Sequence, residues 1–310
     1  MVGNRNKCAC ANRADAAPTA LFHPIKLALE EYLQSAMPAG DDPADMLSQA
    51  MRHAVLSPGK RLRPMLLLTI GYELGCYRSA LMDLACALEL VHAASLVLDD
   101  LPCMDDARLR RGQPTIHRRF GQDIAVLTAV CLLSQAFRMV SEAQAVPPET
   151  RARLVGILAH AVGAQGLAKG QYQDLHADAS RSVAEIATTN MLKTSALLGA
   201  AVEMATVVAH ADEHVAQALR DFADAAGQAF QIGDDFLDQP DSAPPMHRPA
   251  MNSGKDIGQD TNKSTLLNRL GAEDTRDRMT GLMRQAYRHL RSALGPRNQT
   301  LRMLSNLVRN

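Results

Sequence analysis

The sequence has no tryptophan and few other aromatic residues, since Phe, Trp and Tyr together make up only 4% of its 310 residues. Strands are rich in aromatic and β-branched residues, whereas the alanine, leucine, methionine and glutamine that abound here favour helix. The chain also lacks the alternation of apolar and polar residues that is typical of strands. We therefore predict an all-α fold, a single-domain bundle of about ten or more helices.

The chain carries no excess of charge, because 33 Lys and Arg residues balance 33 Asp and Glu residues. Without a global electrostatic field, nothing in the composition indicates a nucleic acid or an anionic membrane surface as a partner. None of the six cysteines belongs to a C-x-x-C pair, and the C-A-C near the start has no matching Cys/His pair at zinc spacing. A zinc site is therefore not expected, and the cysteines are interpreted as reduced thiols.

Long apolar runs are also missing. No continuous apolar stretch reaches the roughly 18 to 20 residues that span a bilayer, so we expect no transmembrane segment. The first residues lack the apolar core of a secretory signal, which favours a cytoplasmic location. Residues 1–20 have little that would order them, and we expect a disordered tail there.

Several segments carry apolar residues at helical spacing, namely 81–98, 122–144, 151–170, 182–208 and 213–238. Turn signals separate them, at 57–59 and at 146–150. A loop at 239–254 contains four prolines and little that could pack. We interpret this loop as a surface excursion within one domain, residues 21–310, because motifs on both of its sides suit one site.

Two acidic clusters each end an apolar helical segment. In "LVLDDLPCMDDARLRRG" an apolar run leads into Asp99 and Asp100, and Pro102 must then bend the chain, which can bring Asp105 back beside Asp99. In "FQIGDDFLD" Asp234 and Asp238 lie one helical turn apart on the same face. Stacked like charges destabilise a helix unless a cation lies between them.

A single acidic cluster is more often a solvated helix end than a site, but two such clusters favour a metal site. Carboxylates with few other ligands suit Mg²⁺, which keeps waters and completes its shell with phosphate oxygens. A calcium loop of the EF-hand type is excluded, because its alternating oxygen ligands, central glycine and closing glutamate are missing.

Basic residues provide the complement that a diphosphate requires. "PGKRLRP" sets Lys60, Arg61 and Arg63 in a turn before an apolar helix, and Arg110 and Arg111 follow the first acidic cluster. Arginine and lysine are the side chains that bind phosphate oxygens, although any one of them alone is more often a surface charge. "NKST" at 262–265 lacks the glycine spacing of a P-loop, so nucleotide binding through that motif is rejected.

The motifs "GKRLRP", "ELVHAASLVLDDLPCMDDARLRRGQPT", "GQYQDL", "LKTSAL", "GQAFQIGDDFLD" and "GKDIGQDTNKSTLLNRLG" occur in this order. Together they resemble the trans-isoprenyl diphosphate synthases, most of all the bacterial geranylgeranyl diphosphate synthases. The resemblance implies the isoprenoid synthase fold, with helices around a central cavity, and a homodimer. It implies condensation of isopentenyl diphosphate with an allylic diphosphate (dimethylallyl, geranyl or farnesyl) by Mg²⁺-assisted ionisation.

The resemblance also implies a role for individual residues. The diphosphate of isopentenyl diphosphate would be held by Lys60, Arg63, His92 and Arg111. The allylic diphosphate would be held by Arg110, Lys193, Thr194, Gln231 and Lys255. Up to about three Mg²⁺ ions would be bound by Asp99, Asp100, Asp105, Asp234 and Asp238. The residues expected to matter most for catalysis are Asp99, Asp105, Asp234, Lys193 and Arg110. Asp106 departs from the pattern of the relatives, which usually have Asn there.

Product length is expected to depend on Ser95 and Ala94, which lie four and five positions before the first aspartate. Farnesyl-forming relatives tend to carry an aromatic ring at one of these positions, whereas both are small here, which favours a C20 product. Helical spacing places Ser95 beneath Asp99 but turns Ala94 about 140° away, so the role of Ala94 rests on the resemblance alone. The alternatives are a farnesyl diphosphate synthase, a noncatalytic prenyltransferase subunit and a terpene cyclase.

Overall fold

The computed structural model describes residues 18–40, 42–178, 180–238 and 265–309. The predicted all-α fold is confirmed. The helices are α1 Pro18–Ala36, α2 Met46–Leu56, α3 Leu62–Glu73, α4 Arg78–Asp99, α5 Ile116–Phe120, α6 Gln122–Glu142, α7 Pro148–Val162, α8 Leu167–Leu175, α9 Val183–Asn190, α10 Ala196–Val208, α11 Glu213–Asp238, α12 Leu266–Leu270, α13 Ala272–Leu294 and α14 Gln299–Arg309.

Two predicted segments lie wholly or mostly outside the described residues. The proline-rich loop at 239–254 lies outside the described residues. Of the predicted disordered tail, residues 18–20 already belong to α1, and the rest lies outside the described residues.

The bundle is organised around α4, whose alanine- and leucine-rich sequence buries most of its length. It packs against α3 on one side and along α6 on another, and α10 packs against α3, α7 and α11. One cluster of buried apolar side chains extends from Leu29 in α1 to Leu304 in α14. A smaller cluster around Ile232 and Phe236 joins α11 to α12 and α13. The polar ends of α4 and α11 are thereby anchored to an apolar core.

Two predicted helical segments are interrupted. The segment 151–170 breaks between α7 and α8 at Gly166, where a Cβ would lie 2.1 Å from the carbonyl oxygen of Ala161. The segment 182–208 contains a five-residue π-helical stretch, Met191–Ser195, between α9 and α10, which we call the π segment. Such π stretches inside helices are frequent at functional sites.

A short hairpin follows the first acidic cluster, although no strand was predicted. Its strands β1 Leu109–Arg110 and β2 Gln113–Pro114 pair antiparallel, with Arg110 opposite Gln113. Both turn residues have positive φ, 55° at Arg111 and 76° at Gly112, as a two-residue hairpin turn of the type I′ class requires.

Three helical stretches are long and apolar enough to cross a membrane by length and composition: Arg78–Asp99, Gln122–Glu142 and Val183–Val208. These stretches include polar residues and are not continuous apolar runs, so the absence of a transmembrane segment stays a prediction. The protein buries 72% of the first apolar window and 61% of the third, because their side chains form the core, but only 39% of the second. The helix α6 thus keeps an apolar surface facing outward.

Candidate active site

The first acidic cluster folds back on the end of α4. The amide of Asp105 donates to the carbonyl oxygen of Asp99 at 2.9 Å, and the amide of Asp106 donates to that of Leu101 at 3.0 Å. The helix ends at Asp99, three residues before Pro102. The predicted bend is therefore confirmed, and it brings the Asp105 backbone back to the helix end.

Charges of both signs act on the carboxyl of Asp99. Burial raises its pKa to about 6, and the neighbouring charges of Asp105 and Asp100 act in the same direction. Lys193 and Arg110 lower the pKa, but not enough to offset these effects. A buried carboxylate crowded by like charges is a group that gains from a bound cation.

Asp100 and Arg110 bind one another instead of pointing separately into a site. The Nε of Arg110 donates to Asp100 Oδ1 at 3.0 Å, and its Nη2 donates to the same oxygen. Arg110 lies on β1, and its side chain reaches back to the end of α4. Burial raises the pKa of Asp100, and Arg110 opposes that shift. The structure therefore pairs a predicted metal ligand with a predicted diphosphate ligand.

A basic group lies beside the same helix. The Nη1 of Arg63 is 3.4 Å from Nε2 of His92, and Nη1 of Arg111 donates to the carbonyl oxygen of Ser57 at 3.2 Å. Burial lowers the pKa of His92 well below its usual value, and the charges of Arg63 and Arg111 lower it further. His92 is thus neutral and accepts a hydrogen bond from Arg63. Lys60, in the loop between α2 and α3, is exposed.

Burial also lowers the pKa of Arg63 and of Arg111, and neighbouring cations lower it further, Arg111 in the case of Arg63 and Arg61 with Arg110 in the case of Arg111. The Nε atom of Arg63 is buried without a hydrogen-bond partner in the protein. Buried donors of this kind carry a cost unless an acceptor satisfies them. The group therefore suits an anion with several oxygen acceptors.

The π segment brings a second set of polar side chains to this region. Lys193 Nζ donates to Asp174 Oδ2 at 2.7 Å, and the charge of Lys193 also acts on Asp99. Thr194 donates to the amide oxygen of Gln231 on α11, whose nitrogen donates to Asp235 Oδ1 at 3.1 Å. The stretch thus links the end of α4 with the second acidic cluster.

Gly170 permits this arrangement. A Cβ at this position would lie 2.5 Å from the backbone nitrogen of Lys193 and 2.8 Å from the carbonyl carbon of Leu192. Any side chain would push α8 away from the π segment. This steric requirement explains the glycine that opens "GQYQDL".

The described residues include only part of the second acidic cluster. Asp234 is exposed on α11, and its charge acts on Arg63, raising the pKa of that guanidinium against the effect of burial. The side chain of Asp238 and the whole of Lys255 lie outside the described residues. Their predicted roles stay predictions.

The acidic residues suit a partly hydrated metal ion. Within the described ranges, no group of three or more His, Cys, Asp and Glu side chains converges closely enough to hold a metal ion by itself. Mg²⁺ is usually bound by one or two carboxylates, with waters and substrate phosphates completing its shell. Asp99, with the bent-back loop of Asp105, provides such a partial donor set, so the residues present fit the ion.

The predicted chain-length residues lie on different sides of α4. Ala94 is fully buried in the core, whereas Ser95 is partly exposed and donates its hydroxyl to the carbonyl oxygen of His92 at 2.9 Å. Both positions hold small side chains, on which the prediction of a C20 product rests.

Sequence reasoning did not assign Asp174 or Glu89. Asp174 lies in the quoted "GQYQDL", and an acidic side chain one helical turn after Gly170 was the available signal. Glu89 lies one turn before His92 and is 1% exposed, and an acidic residue within the apolar middle of α4 was the signal there. It binds Arg61, which turns inward instead of joining the basic group.

Comparison with known proteins places these residues in a family. The polyprenyl synthetase family profile matches residues 44–293. The chain is 46% identical over 252 residues to the geranylgeranyl diphosphate synthase of Pantoea ananas, covering 80% of each chain. It is 39% identical over 299 residues to the geranylgeranyl diphosphate synthase of Pseudescherichia vulneris, covering 96% of this chain and 94% of the relative.

A solved structure shows the same architecture. It is the geranyltransferase of Helicobacter pylori, complexed with magnesium and isoprenyl diphosphate, and it superposes with a TM-score of 0.81 at 26% identity. The superposition covers 96% of this chain and 98% of the other.

Proposed function

The chain belongs to the polyprenyl synthetase family, and from this premise we propose that it condenses isopentenyl diphosphate with an allylic diphosphate to make geranylgeranyl diphosphate. The observation that carries the proposal is the meeting of an acidic group, Asp99 with Asp105, and a basic group, Arg63 with Arg111, beside one helix end. One group suits a metal-bound diphosphate, and the other suits a second diphosphate without a metal.

The basic group would bind isopentenyl diphosphate. Arg63 and Arg111 offer charged donors, and neutral His92 orients Arg63 by accepting its hydrogen bond. Lys60, exposed in the loop between α2 and α3, supplies a further cation. Two neighbouring guanidinium groups with lowered pKa gain when an anion neutralises their mutual repulsion.

The allylic diphosphate would lie between the two acidic clusters. Mg²⁺, when bound by Asp99, Asp105 and Asp234, supplies charge neutralisation for the departing diphosphate. Lys193 and Thr194 face the same region and would hold the leaving group's oxygens as charge develops on them. The allylic carbon then becomes a carbocation, the double bond of isopentenyl diphosphate attacks it, and a proton is lost to the departing diphosphate.

Product length, location and assembly are further parts of the proposal. Small side chains at Ala94 and Ser95 support a C20 product over the C15 alternative. A cytoplasmic location agrees with a charged, water-soluble substrate. A homodimer is supported by α6, whose residues Val126, Leu127 and Val130 are 44%, 49% and 57% exposed on one face. A second copy of the chain would cover these apolar residues.

Release of diphosphate by the purified protein tests the reaction. Release is expected only when isopentenyl diphosphate, an allylic diphosphate and Mg²⁺ are all present, and a chelator should stop it. Release from the allylic diphosphate alone would indicate a cyclase. No release with any primer, from a folded protein, would indicate a noncatalytic subunit.

A further inference from the structure

The basic loop between α2 and α3 is held by two side chains of α1, a helix that precedes the segment matched by the family profile. Glu30 accepts hydrogen bonds from Nε and Nη2 of Arg61 at 2.9 and 3.1 Å. One turn earlier, Lys26 Nζ donates to the carbonyl oxygen of Gly59 at 3.0 Å. Both ends of the segment 59–61 are therefore attached to α1.

Arg61 is the centre of this attachment. It is 3% exposed, and its remaining donors bind Glu89 at 2.5 Å and the carbonyl oxygen of Ser57 at 3.0 Å. Its φ of 51° lies in the left-handed region, which is unfavourable for a residue other than glycine. Such a conformation persists only where surrounding contacts impose it, and Glu30 and Glu89 impose it here.

The attached loop is continuous with the basic group of the active site. The carbonyl oxygen of Ser57 accepts from Arg111 as well as from Arg61. A Cβ at Gly59 would lie 2.9 Å from the Arg111 guanidinium, so loop and side chain are in direct contact. Arg63 follows Arg61 by two residues. A shift of the loop would therefore move Arg63 and Arg111 together.

We propose that Lys26 and Glu30 are positioning residues, which set the geometry of the isopentenyl diphosphate site through Gly59 and Arg61. The inference rests on the proposed function of that site. Of the residues assigned to the allylic diphosphate, Lys193 and Thr194 lie on the π segment, which packs against α8, α10 and α11, and Arg110 is held separately by Asp100 at the end of α4. Loss of the attachment thus weakens binding of isopentenyl diphosphate and leaves the allylic site intact.

Two conservative variants of the full chain test this inference. Glu30→Gln removes the charge at constant size, and Lys26→Met removes the donor but keeps the apolar stem. Each should raise KM for isopentenyl diphosphate roughly tenfold, which corresponds to about 1.4 kcal/mol and to the loss of one hydrogen bond to a charged group. KM for the allylic substrate and kcat should stay within about twofold, a split that a general loss of structure does not produce.

Glu31→Gln is the matched control, since Glu31 is the exposed neighbour on the same helix and should change nothing. An unchanged KM for isopentenyl diphosphate in both variants would overturn the inference, as would an equal rise in both KM values with a fall in kcat. Calorimetric titration of isopentenyl diphosphate in the presence of chelator separates this test from the reaction. If wild-type protein fails to condense its substrates, weaker binding in the variants still supports the positioning role, and equal or absent binding overturns it.

Discussion

Replacement of Asp99 by asparagine should inactivate the enzyme and at the same time stabilise the metal-free protein. Burial of the carboxyl, with Asp105 and Asp100 nearby, raises its pKa to about 6 from an ordinary value of 3.8. Asparagine has nearly the same size and carries no charge. The variant therefore removes the unfavourable ionisation and retains the packing at the end of α4.

The sign and the size of the change in the free energy of unfolding follow from proton linkage. A carboxyl with a raised native pKa contributes stability below its unfolded pKa, and this contribution is lost as pH rises through about 6. The difference of about 2 pKa units corresponds to about 3 kcal/mol, and partial solvent access reduces this to about 2–3 kcal/mol at pH 8. At pH 5 the carboxyl is already ionised in the unfolded protein but still mostly protonated in the native protein. The stabilisation by Asp99→Asn is therefore roughly half as large at pH 5 as at pH 8.

Urea unfolding of both proteins at pH 8 and pH 5, with chelator present, measures the predicted gain of Asp99→Asn. Asp277→Asn, an exposed aspartate on α13, is the control and should leave the free energy of unfolding unchanged. Adding Mg²⁺ with inorganic diphosphate should stabilise the wild type more than the variant, because ligands that bind the native state shift its stability. A variant that is equally or less stable at pH 8 would refute the electrostatic account of this site.

Three further predictions concern the other acidic cluster, the pocket and the π segment. Asp234→Ala should lower kcat at least about a hundredfold with unchanged helical circular dichroism, and wild-type turnover would contradict its assignment as a metal ligand. Ala94→Tyr should shift the product from C20 toward C15 in chromatography, and an unchanged product would place the pocket floor elsewhere. Gly170→Ala should cost about 1–3 kcal/mol in urea unfolding and lower kcat, because its Cβ meets the Lys193 backbone, whereas Gly156→Ala, with open space around it, should not destabilise the protein.

Much of the architecture was predictable from local patterns. Helical spacing predicted the regions of α4, α6 and α11, because each helix places apolar residues against the core at that period. The bend at Pro102 was predictable from the missing amide hydrogen and the ring of proline. These are effects of neighbouring residues on one another, which a sequence displays directly.

Other features depend on contacts between distant segments. The π segment exists where α8 approaches at Gly170, and no periodicity in the sequence reports that approach. Arg61 and Arg63 are two residues apart in one basic motif, yet the first is bound by Glu30 and Glu89 while the second lies beside His92. Only the fold assigns one of these arginines to structure and the other to the site.

The pairing of Asp100 with Arg110 is another consequence of tertiary structure. This stretch of the sequence contains four aspartates and three arginines, and nothing local decides which of them pair. The fold places β1, with Arg110, beside Asp100 at the end of α4. Lys255 and the side chain of Asp238 lie outside the described residues, so their assignments remain predictions.

The chain length of the product tests the central claim most directly. Purified protein would be incubated with labelled isopentenyl diphosphate, farnesyl diphosphate and Mg²⁺, and the products would be dephosphorylated and separated by chromatography. The account predicts a labelled C20 alcohol that disappears when Mg²⁺ is chelated. Turnover only with shorter primers, ending at C15, would contradict the C20 assignment, and no labelled product from any primer would contradict the proposed reaction itself.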